Sequence, residues 1–195
     1  MGDSDSSWQA TWDRRHAAAD GLGEPAQVLE ENRHLLPLRG DALDLACGLG
    51  ANALLLAQSG LKVTAWDISP VAIQRLAEAA QGRKLPVIAE VRDLLESPPE
   101  PDSFDVILVS HFLDRSLAPA IIHALRKGGL LFYQTFTQAR VTDQGPSRPE
   151  FRLADNELLQ LFGTLNLRVY REEAVLGDRS KGWRDRAMLV AEKTG

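Results

Sequence analysis

Residues 43–52 read LDLACGLGAN and have the pattern of a glycine turn for a nucleotide-like ligand. An apolar run that contains one acid, Asp44, leads into residues 48–53, GLGANA, which satisfy the G-x-G-x-x-G/A pattern of dinucleotide-binding folds. In such folds the glycines form a tight turn at which the backbone approaches a nucleotide-like ligand closely. The stretch therefore predicts a strand, a ligand-binding turn and a helix.

On either side of this stretch the chain alternates short β-rich runs with longer helical patterns, which indicates βαβ units around a parallel sheet. We predict strands, the first five of them buried, at residues 42–46, 62–66, 86–91, 105–110, 130–136, 167–173 and 187–192. Helical patterns occupy residues 52–59, 70–81, 119–126 and 154–162. The predicted fold class is α/β: a Rossmann-like, doubly wound, seven-stranded and mostly parallel sheet, with an antiparallel last strand and helices on both faces.

A chain of 195 residues, 44% hydrophobic and 25% charged, predicts one globular domain with one sizeable core. Within this single domain, residues 1–195, we distinguish an N-terminal helical cap (1–40), a ligand-binding core (41–136) and a C-terminal helix and strand pair (137–195). The cap contains Trp8 and Trp12, which are costly to leave in water. These tryptophans favour helices over a disordered tail.

Composition excludes several classes of function. The net charge of −5 argues against a broad phosphate-neutralising surface, so nucleic acid is not an expected partner. A single cysteine, Cys47, permits no internal disulfide, and no Cys/His cluster has the spacing of a metal site, so no metal is predicted. The longest apolar runs are far below membrane-spanning length, and the acidic N-terminus lacks a secretion signal. We expect a cytoplasmic monomer or homodimer without a membrane partner.

Three acids stand at predicted strand ends, where an open α/β sheet binds its ligand. Asp44 precedes the glycine turn, Asp67 follows the second strand and Asp93 follows the third. Asp67 lies about twenty residues after the turn, where an acid accepts hydrogen bonds from ribose hydroxyls. That position suits NAD and S-adenosylmethionine equally well.

Asp44 distinguishes these two ligands by charge. A dinucleotide would place its pyrophosphate beside the turn, where a carboxylate repels it, whereas S-adenosylmethionine places an ammonium and a sulfonium there. At a few ångströms and an effective dielectric near 20, the attraction amounts to roughly a few kcal/mol before desolvation is subtracted. Charge complementarity therefore favours S-adenosylmethionine.

The order of the motifs adds a family resemblance. The string ALDLACGLGANALLLAQSGLKVTAWDIS, followed by VRDLL, FDVILVSHFL and LRKGGLLFYQTF, resembles the successive motifs of class I S-adenosylmethionine-dependent methyltransferases. The match covers about residues 41–136, in the family's order. The N-terminal WDRRH and the later GPSRPEF are similar to the small methyltransferases of the tellurite-resistance type. The resemblance implies a methyltransferase whose cofactor is S-adenosylmethionine.

The same resemblance implies a donor-binding site along the strand ends. Its residues are Asp44, Ala46, Cys47, Gly48 and Gly50 for the methionine part, Asn52 for the start of the helix, Asp67 and Ile68 for ribose and adenine, Asp93 and Leu94 for the adenine amino group, and Ser110 with His111 for the position that faces the methyl. Structural readings stay open for some of them. The glycines can form a tight turn alone, the thiol can be a packing group, and the third acid can cap a turn.

Methyl transfer from a sulfonium is an in-line displacement with an activated leaving group, so the protein mainly holds donor and acceptor in contact and excludes water. A soft or anionic acceptor needs no base. A hydroxyl or amine must lose a proton, for which His111 or His16 is the candidate base.

Acceptor binding is predicted around two arginines, two tryptophans and His16. Arg115, a candidate catalytic residue together with His111, and Arg148, a candidate substrate-binding residue, either attract an anionic acceptor or are solvated or ion-paired. Trp8 and Trp12, together with Phe151, either form an apolar lid over the site or close the edge of the core. We expect a small-molecule methyl acceptor. Two alternatives stay open: an NAD(P)-binding oxidoreductase, disfavoured by Asp44, and a non-catalytic S-adenosylmethionine-binding regulatory module.

Overall fold

One sheet organises the protein, whose computed structural model describes residues 3–194 and the side chains of residues 8–194. Its strands are β1 (Asp41–Leu45), β2 (Lys62–Asp67), β3 (Val87–Val91), β4 (Phe104–Ser110), β5 (Leu125–Phe136), β6 (Asn166–Glu172) and β7 (Arg186–Glu192). Their order is β3-β2-β1-β4-β5-β7-β6, and β7 runs antiparallel to both of its neighbours. The predicted mostly parallel, Rossmann-like sheet is confirmed.

Helices connect the strands and cover the sheet. Within the described residues they are α1 (Asp3–Ala18), α2 (Gln27–Asn32), α3 (Ala51–Gln58), α4 (Pro70–Arg83), α5 (Ala118–Ala124) and α6 (Glu157–Leu161). The start of α4 shows how the sequence sets such a boundary. The Ser69 side chain accepts a hydrogen bond from the Ala72 amide, and Pro70 occupies the first turn, where its missing N–H costs nothing.

Apart from Asp44, the buried side chains of the central strands β1 and β4 are apolar on both faces, because helices cover both faces. Leu43 and Leu45 of β1 pack into one core cluster, and Leu108 of β4 packs with Phe132 of β5 into the other. All four side chains are fully buried. Because successive side chains of a strand point to opposite faces, each strand contributes residues to two cores, one on each side of the sheet.

The prediction that the first five strands are all buried is wrong for β3. This strand lies at the edge of the sheet with β2 as its one neighbour, and Ile88 and Val91 are 63% and 52% exposed. A central strand and an edge strand can have the same apolar sequence pattern. The order of the strands in the sheet decides how many neighbours cover each strand, and the sequence of the run does not show that order.

The site follows from the connections of the two central strands. β1 and β4 are paired neighbours, but the chain leaves β1 towards β2 on one side and leaves β4 towards β5 on the other. In an open α/β sheet, diverging connections leave a crevice at the carboxyl ends of such strands. Across residues 3–194, no helix has the length and apolar character needed to cross a membrane, and no His/Cys/Asp/Glu group is arranged to hold a metal ion.

Candidate active site

The turn after β1 has left-handed backbone at three positions: Ala46 (φ 56°), Gly48 (φ 51°) and Gly50 (φ 82°). A Cβ built on Gly50 would lie 2.3 Å from a methyl carbon of Leu76 in α4. Gly50 is therefore favoured by space as well as by backbone conformation, because a Cβ there would force the buried Leu76 side chain to move.

Asp67, at the end of β2, ties the glycine turn to the start of α4. Its Oδ2 accepts a hydrogen bond from the Gly48 amide at 2.8 Å, and its Oδ1 accepts from the Ser69 amide at 2.9 Å. Burial raises the pKa of Asp67, while these two amides and His16 oppose the rise. Each carboxylate oxygen retains a further lone pair, which suits the predicted contact with ribose hydroxyls.

Asp44 is fully buried, and neither of its carboxylate oxygens has a hydrogen-bond partner among the described residues. The Ala53 amide at the start of α3 favours the ionised form from outside hydrogen-bond geometry, but burial raises the pKa of Asp44 to about 8. A buried carboxyl without partners is costly, and a cation brought to the turn relieves that cost. The ammonium of S-adenosylmethionine fits this requirement.

The adenine-binding residues predicted after β2 and β3 surround the same end of the sheet. Leu94 is buried, Ile68 is half-buried, and Asp93 accepts a hydrogen bond from the Leu95 amide at 2.9 Å. Asp93 thus caps a turn through Oδ1. Its Oδ2 has no partner within the described part of the chain, so turn capping and adenine binding are compatible.

Cys47 lies under the turn, where burial raises the pKa of its thiol. The thiol donates weakly to the Gly48 carbonyl at 3.5 Å. Because the thiolate is the nucleophilic form, a buried thiol with a raised pKa suits packing better than covalent chemistry.

Asn52 joins the donor side to the fourth strand. Its Oδ1 accepts from the Ala26 amide at 2.7 Å, and its Nδ2 donates to the Ser110 hydroxyl at 2.9 Å. One buried amide therefore links the segment before α2, the start of α3 and the end of β4. This contact orients Ser110 at the position predicted to face the methyl.

Helix α1 lies over the glycine turn. His16 Cε1 would be 3.4 Å from a Cβ on Gly48, and the His16 ring stacks on Trp12 with 5.7 Å between centroids. The Ser69 hydroxyl donates to Asp13, and the Arg75 guanidinium of α4 donates to the His16 carbonyl. Burial is the main cause that lowers the pKa of His16. Trp12 and His16 therefore cover the donor side.

Trp8 and Arg148 lie together at the other end of α1. Trp8 is 45% exposed and meets Phe151 edge-to-face at 5.6 Å, and Arg148 lies over the same ring at 5.3 Å while pairing with Glu150. These contacts connect α1 to the loop that follows β5. They leave both readings of the tryptophans open, a lid or an edge of the core.

On the acceptor side, His111 follows β4 with left-handed backbone (φ 57°) and packs against Phe136, with 5.1 Å between ring centroids. The residue as a whole is exposed, but partial burial of its ring and, secondarily, the Arg186 charge lower its pKa to about 4. The imidazole is therefore neutral at pH 7 and a weak base. This environment argues against the candidate role as a general base.

Arg115, predicted to meet an anionic acceptor, is committed to other groups. Its Nε and Nη2 donate to the two carboxylate oxygens of Glu157 at 2.5 and 2.9 Å, and its Nη1 donates to the Glu150 carbonyl at 2.6 Å. A bidentate pair of this kind occupies the fork that would hold a substrate. The structure therefore shows the ion-paired alternative: Arg115 ties α6 and the loop before it to the segment that follows β4.

Arg186, at the start of β7, supplies the positive charge beside His111. It lies over Phe136 at 5.4 Å, its charge acts on His111, and its buried Nε has no hydrogen-bond partner among the described residues. Because β7 is antiparallel, its first residue pairs with the last residue of β5, at the edge where the parallel strands end. The predicted antiparallel last strand could have indicated Arg186, because such a strand brings its first residues, and not its last, to the edge where the parallel strands end.

Comparison with known proteins finds a matching family and two related proteins. Residues 42–129 match the family described as "Methyltransferase domain". Ubiquinone biosynthesis O-methyltransferase of Xylella fastidiosa (strain 9a5c) is 30% identical over 179 residues, which cover 80% of this chain and 71% of that protein. Hemagglutinin 1 of Eikenella corrodens is 34% identical over 142 residues, 68% of this chain, and the match spans 46% of that protein's length.

A solved structure shares the fold. TehB from Haemophilus influenzae superposes with a TM-score of 0.69 at 22% identity, over 95% of this chain and 67% of that chain. At this identity the likeness shows the fold alone.

Proposed function

Because this chain belongs to the class I S-adenosylmethionine-dependent methyltransferases, we propose that its methyl acceptor is a small molecule whose reacting atom is anionic. The observation that carries the proposal is the Arg186 guanidinium at the carboxyl edge, with a buried Nε that lacks a described partner. A buried N–H without an acceptor is costly, and an anionic acceptor relieves that cost.

The donor side supports the cofactor through this chain's own groups. Asp44 would hold the ammonium, Asp67 the ribose hydroxyls, and Asp93 with Leu94 the adenine. S-adenosylmethionine, when bound, supplies a methyl group on a positively charged sulfur, which is already an activated leaving group. Trp12 and His16 of α1 exclude water above the turn, which strengthens the charge interactions below them.

The acceptor side supports an anion through position and charge. Arg186 supplies the positive charge, and Phe136 supplies an apolar wall. His111 is neutral near pH 7 and a weak base, so a neutral hydroxyl or amine would find poor help in losing its proton. The same arrangement favours acceptors that are ionised before they bind. The net charge of −5 supports a small molecule over nucleic acid.

Location and oligomeric state remain proposals from the sequence. The single cysteine, Cys47, supports a cytoplasmic location, and a monomer or homodimer is the proposed oligomeric state. The family assignment excludes the oxidoreductase alternative. A regulatory module that binds S-adenosylmethionine without turnover is the second candidate, because the acceptor side carries no strong base.

The test is methyl transfer from S-adenosylmethionine labelled at the methyl carbon to a matched acceptor panel. Each thiol, phenol and carboxylic acid is paired with an uncharged analogue of the same shape, and product and S-adenosylhomocysteine are both quantified. We expect the ionised member of each pair to be methylated at least tenfold faster. Equal rates within pairs, or transfer to amines alone, would contradict an anionic acceptor. Tight donor binding with no turnover on any acceptor would favour the regulatory module.

A further inference from the structure

Gln134 of β5 is 1% exposed and uses both ends of its side-chain amide. Its Oε1 accepts a hydrogen bond from the Val28 amide of α2 at 2.9 Å. Its Nε2 lies 3.3 Å from His111 Nε2, and its backbone carbonyl accepts from the His111 amide at 2.8 Å. Gln134 therefore holds His111 through both its side chain and its backbone.

The Val28 contact sets the direction of the Gln134 amide. A backbone N–H can only donate, so the oxygen of the side-chain amide must face Val28 and the NH₂ group must face His111. An amide NH₂ can also only donate, so His111 Nε2 must accept. A neutral imidazole that accepts at Nε2 carries its proton at Nδ1. The tautomer follows from donor and acceptor chemistry along the chain Val28, Gln134, His111.

We propose that Gln134 is a positioning residue that fixes His111 as the Nδ1–H tautomer, so that His111 offers the acceptor a hydrogen-bond donor and not a base. This inference rests on the proposed function in one respect, namely that the acceptor binds beside His111. The inference extends that function, because the Val28–Gln134–His111 hydrogen bonds would restrict acceptors to those that are ionised before transfer.

The charges around His111 agree with this role. Arg186 of β7 acts on the ring, and Arg152 lies over the neighbouring Phe136 at 5.6 Å. The Arg186 charge opposes an imidazolium and favours a neutral imidazole. An Nδ1–H donor and the Arg186 guanidinium then both direct positive charge towards an anionic atom.

The proton balance is complete without a base at this position. The lone pair of an anionic acceptor forms the new bond to the methyl carbon while the carbon–sulfur bond breaks, and the electron pair stays on sulfur. No proton has to leave the acceptor during the step. A neutral acceptor would need a proton-accepting nitrogen, and Gln134 already occupies Nε2.

Nitrogen-15 NMR of the histidine rings tests the tautomer directly and needs no turnover. Long-range proton–nitrogen correlations at pH 7.5 distinguish Nδ1–H from Nε2–H, and His111→Gln identifies the His111 signals among those of His16, His34 and His123. We expect Nδ1–H in the wild-type protein. An Nε2–H tautomer, or a mixture of the two, would overturn the proposal. If His111→Gln fails to fold, single glutamine substitutions of His16, His34 and His123 assign the other three rings and leave the His111 signals by elimination.

The Gln134→Glu variant should reverse the tautomer of His111. The carboxylate still accepts from the Val28 amide, but its other oxygen also accepts, so the His111 proton should move to Nε2 and leave Nδ1 as a base. We expect methylation of a phenol-type acceptor one pH unit below the acceptor's own pKa to rise at least fivefold relative to the wild type. Gln81→Glu adds the same charge on the exposed face of α4 and should change neither the tautomer nor the pH profile.

The results separate this inference from the proposed function. An Nδ1–H signal in a protein that methylates no anionic acceptor would overturn the proposed function and leave the tautomer standing. Methylation of anions with an unchanged tautomer and pH profile in Gln134→Glu would overturn the inference and leave the proposed function standing.

Discussion

The donor half and the acceptor half of the crevice are assembled differently. The donor half comes from consecutive pieces of chain, residues 44–52 and 67–69, which one strand–turn–helix unit and the next strand bring together. The acceptor half joins His111, Gln134 and Arg186, the last supplied by an antiparallel strand. Local sequence therefore specifies the donor half, whereas sheet topology specifies the acceptor half.

The two halves also differ in the charge that they leave unpaired. Asp44 lacks a described partner on the donor side, and the Nε of Arg186 lacks one on the acceptor side. A cationic donor and an anionic acceptor would each satisfy one of them.

Gly50→Ala should disable the donor half. A left-handed alanine costs about 1–2 kcal/mol, and overpacking against Leu76 adds about 1–3 kcal/mol. We expect chemical denaturation to show that the free energy of unfolding falls by the sum of these two costs. Calorimetry should show no measurable binding of S-adenosylmethionine. Gly82→Ala, in open space near the end of α4, is the matched control and should be neutral or slightly stabilising. Unchanged donor affinity in Gly50→Ala would show that the turn is not part of the site.

Asp44→Asn should weaken donor binding roughly 10- to 100-fold at pH 8, since a hydrogen-bonded charge contributes about 1.5–3 kcal/mol. Asp41→Asn, at the opposite end of β1, is the control and should bind the donor normally. Donor affinities are measured by calorimetry. Equal affinities of Asp44→Asn and the wild type would remove Asp44 from the donor site.

The same carboxyl predicts a pH dependence with a definite sign. Folding raises the pKa of Asp44 from 3.8 to about 8. Between these two pH values the folded state therefore binds more protons than the unfolded state, and the free energy of unfolding falls as the pH rises towards 8. A cationic ligand favours the ionised form, so donor binding at pH 6–7 should release a proton and tighten as the pH rises. Calorimetry in buffers of different ionisation enthalpy measures the release. Asp44→Asn, compared at each pH, subtracts the titration of the ligand itself.

Arg186→Gln should affect the acceptor half alone. We expect KM for an anionic acceptor to rise about tenfold, as for the loss of a charge-assisted hydrogen bond, with donor affinity unchanged. Arg148→Gln removes an exposed arginine that pairs with Glu150, and it should leave KM within twofold of the wild type. A larger effect of Arg148→Gln than of Arg186→Gln would move the acceptor site to the loop after β5.

Arg115→Gln should have the smallest effect, on stability and not on catalysis. Its bidentate pair with Glu157 is partly exposed, with 38% of the Arg115 side chain accessible, so we expect a loss of about 0.5–1 kcal/mol. Denaturation gives the stability, and steady-state kinetics should give unchanged kcat and KM per folded enzyme. A fall in kcat at unchanged stability would restore the catalytic role that the sequence suggests.

The fold could be predicted because its signals are local. The seven strand segments were predicted within a few residues, with β5 beginning five residues earlier than expected, since Leu125 already pairs with Phe104 of β4. The acids at the ends of β1 and β2 and the glycines between them could be placed from their spacing. The exposure of β3 could not, because an apolar run carries no record of how many strands lie beside it.

By itself the sequence determined the strand–turn–helix unit around residues 43–52, and with it the charge of Asp44 that favours a cationic donor. Turn chemistry and strand period act within a few residues, so they can be read directly. Only the tertiary structure decided that Arg115 pairs with Glu157, and that Arg186 and Gln134 meet His111. Those partners lie 42, 75 and 23 positions apart along the chain, and it is the sheet order and the reversal of β7 that bring them together.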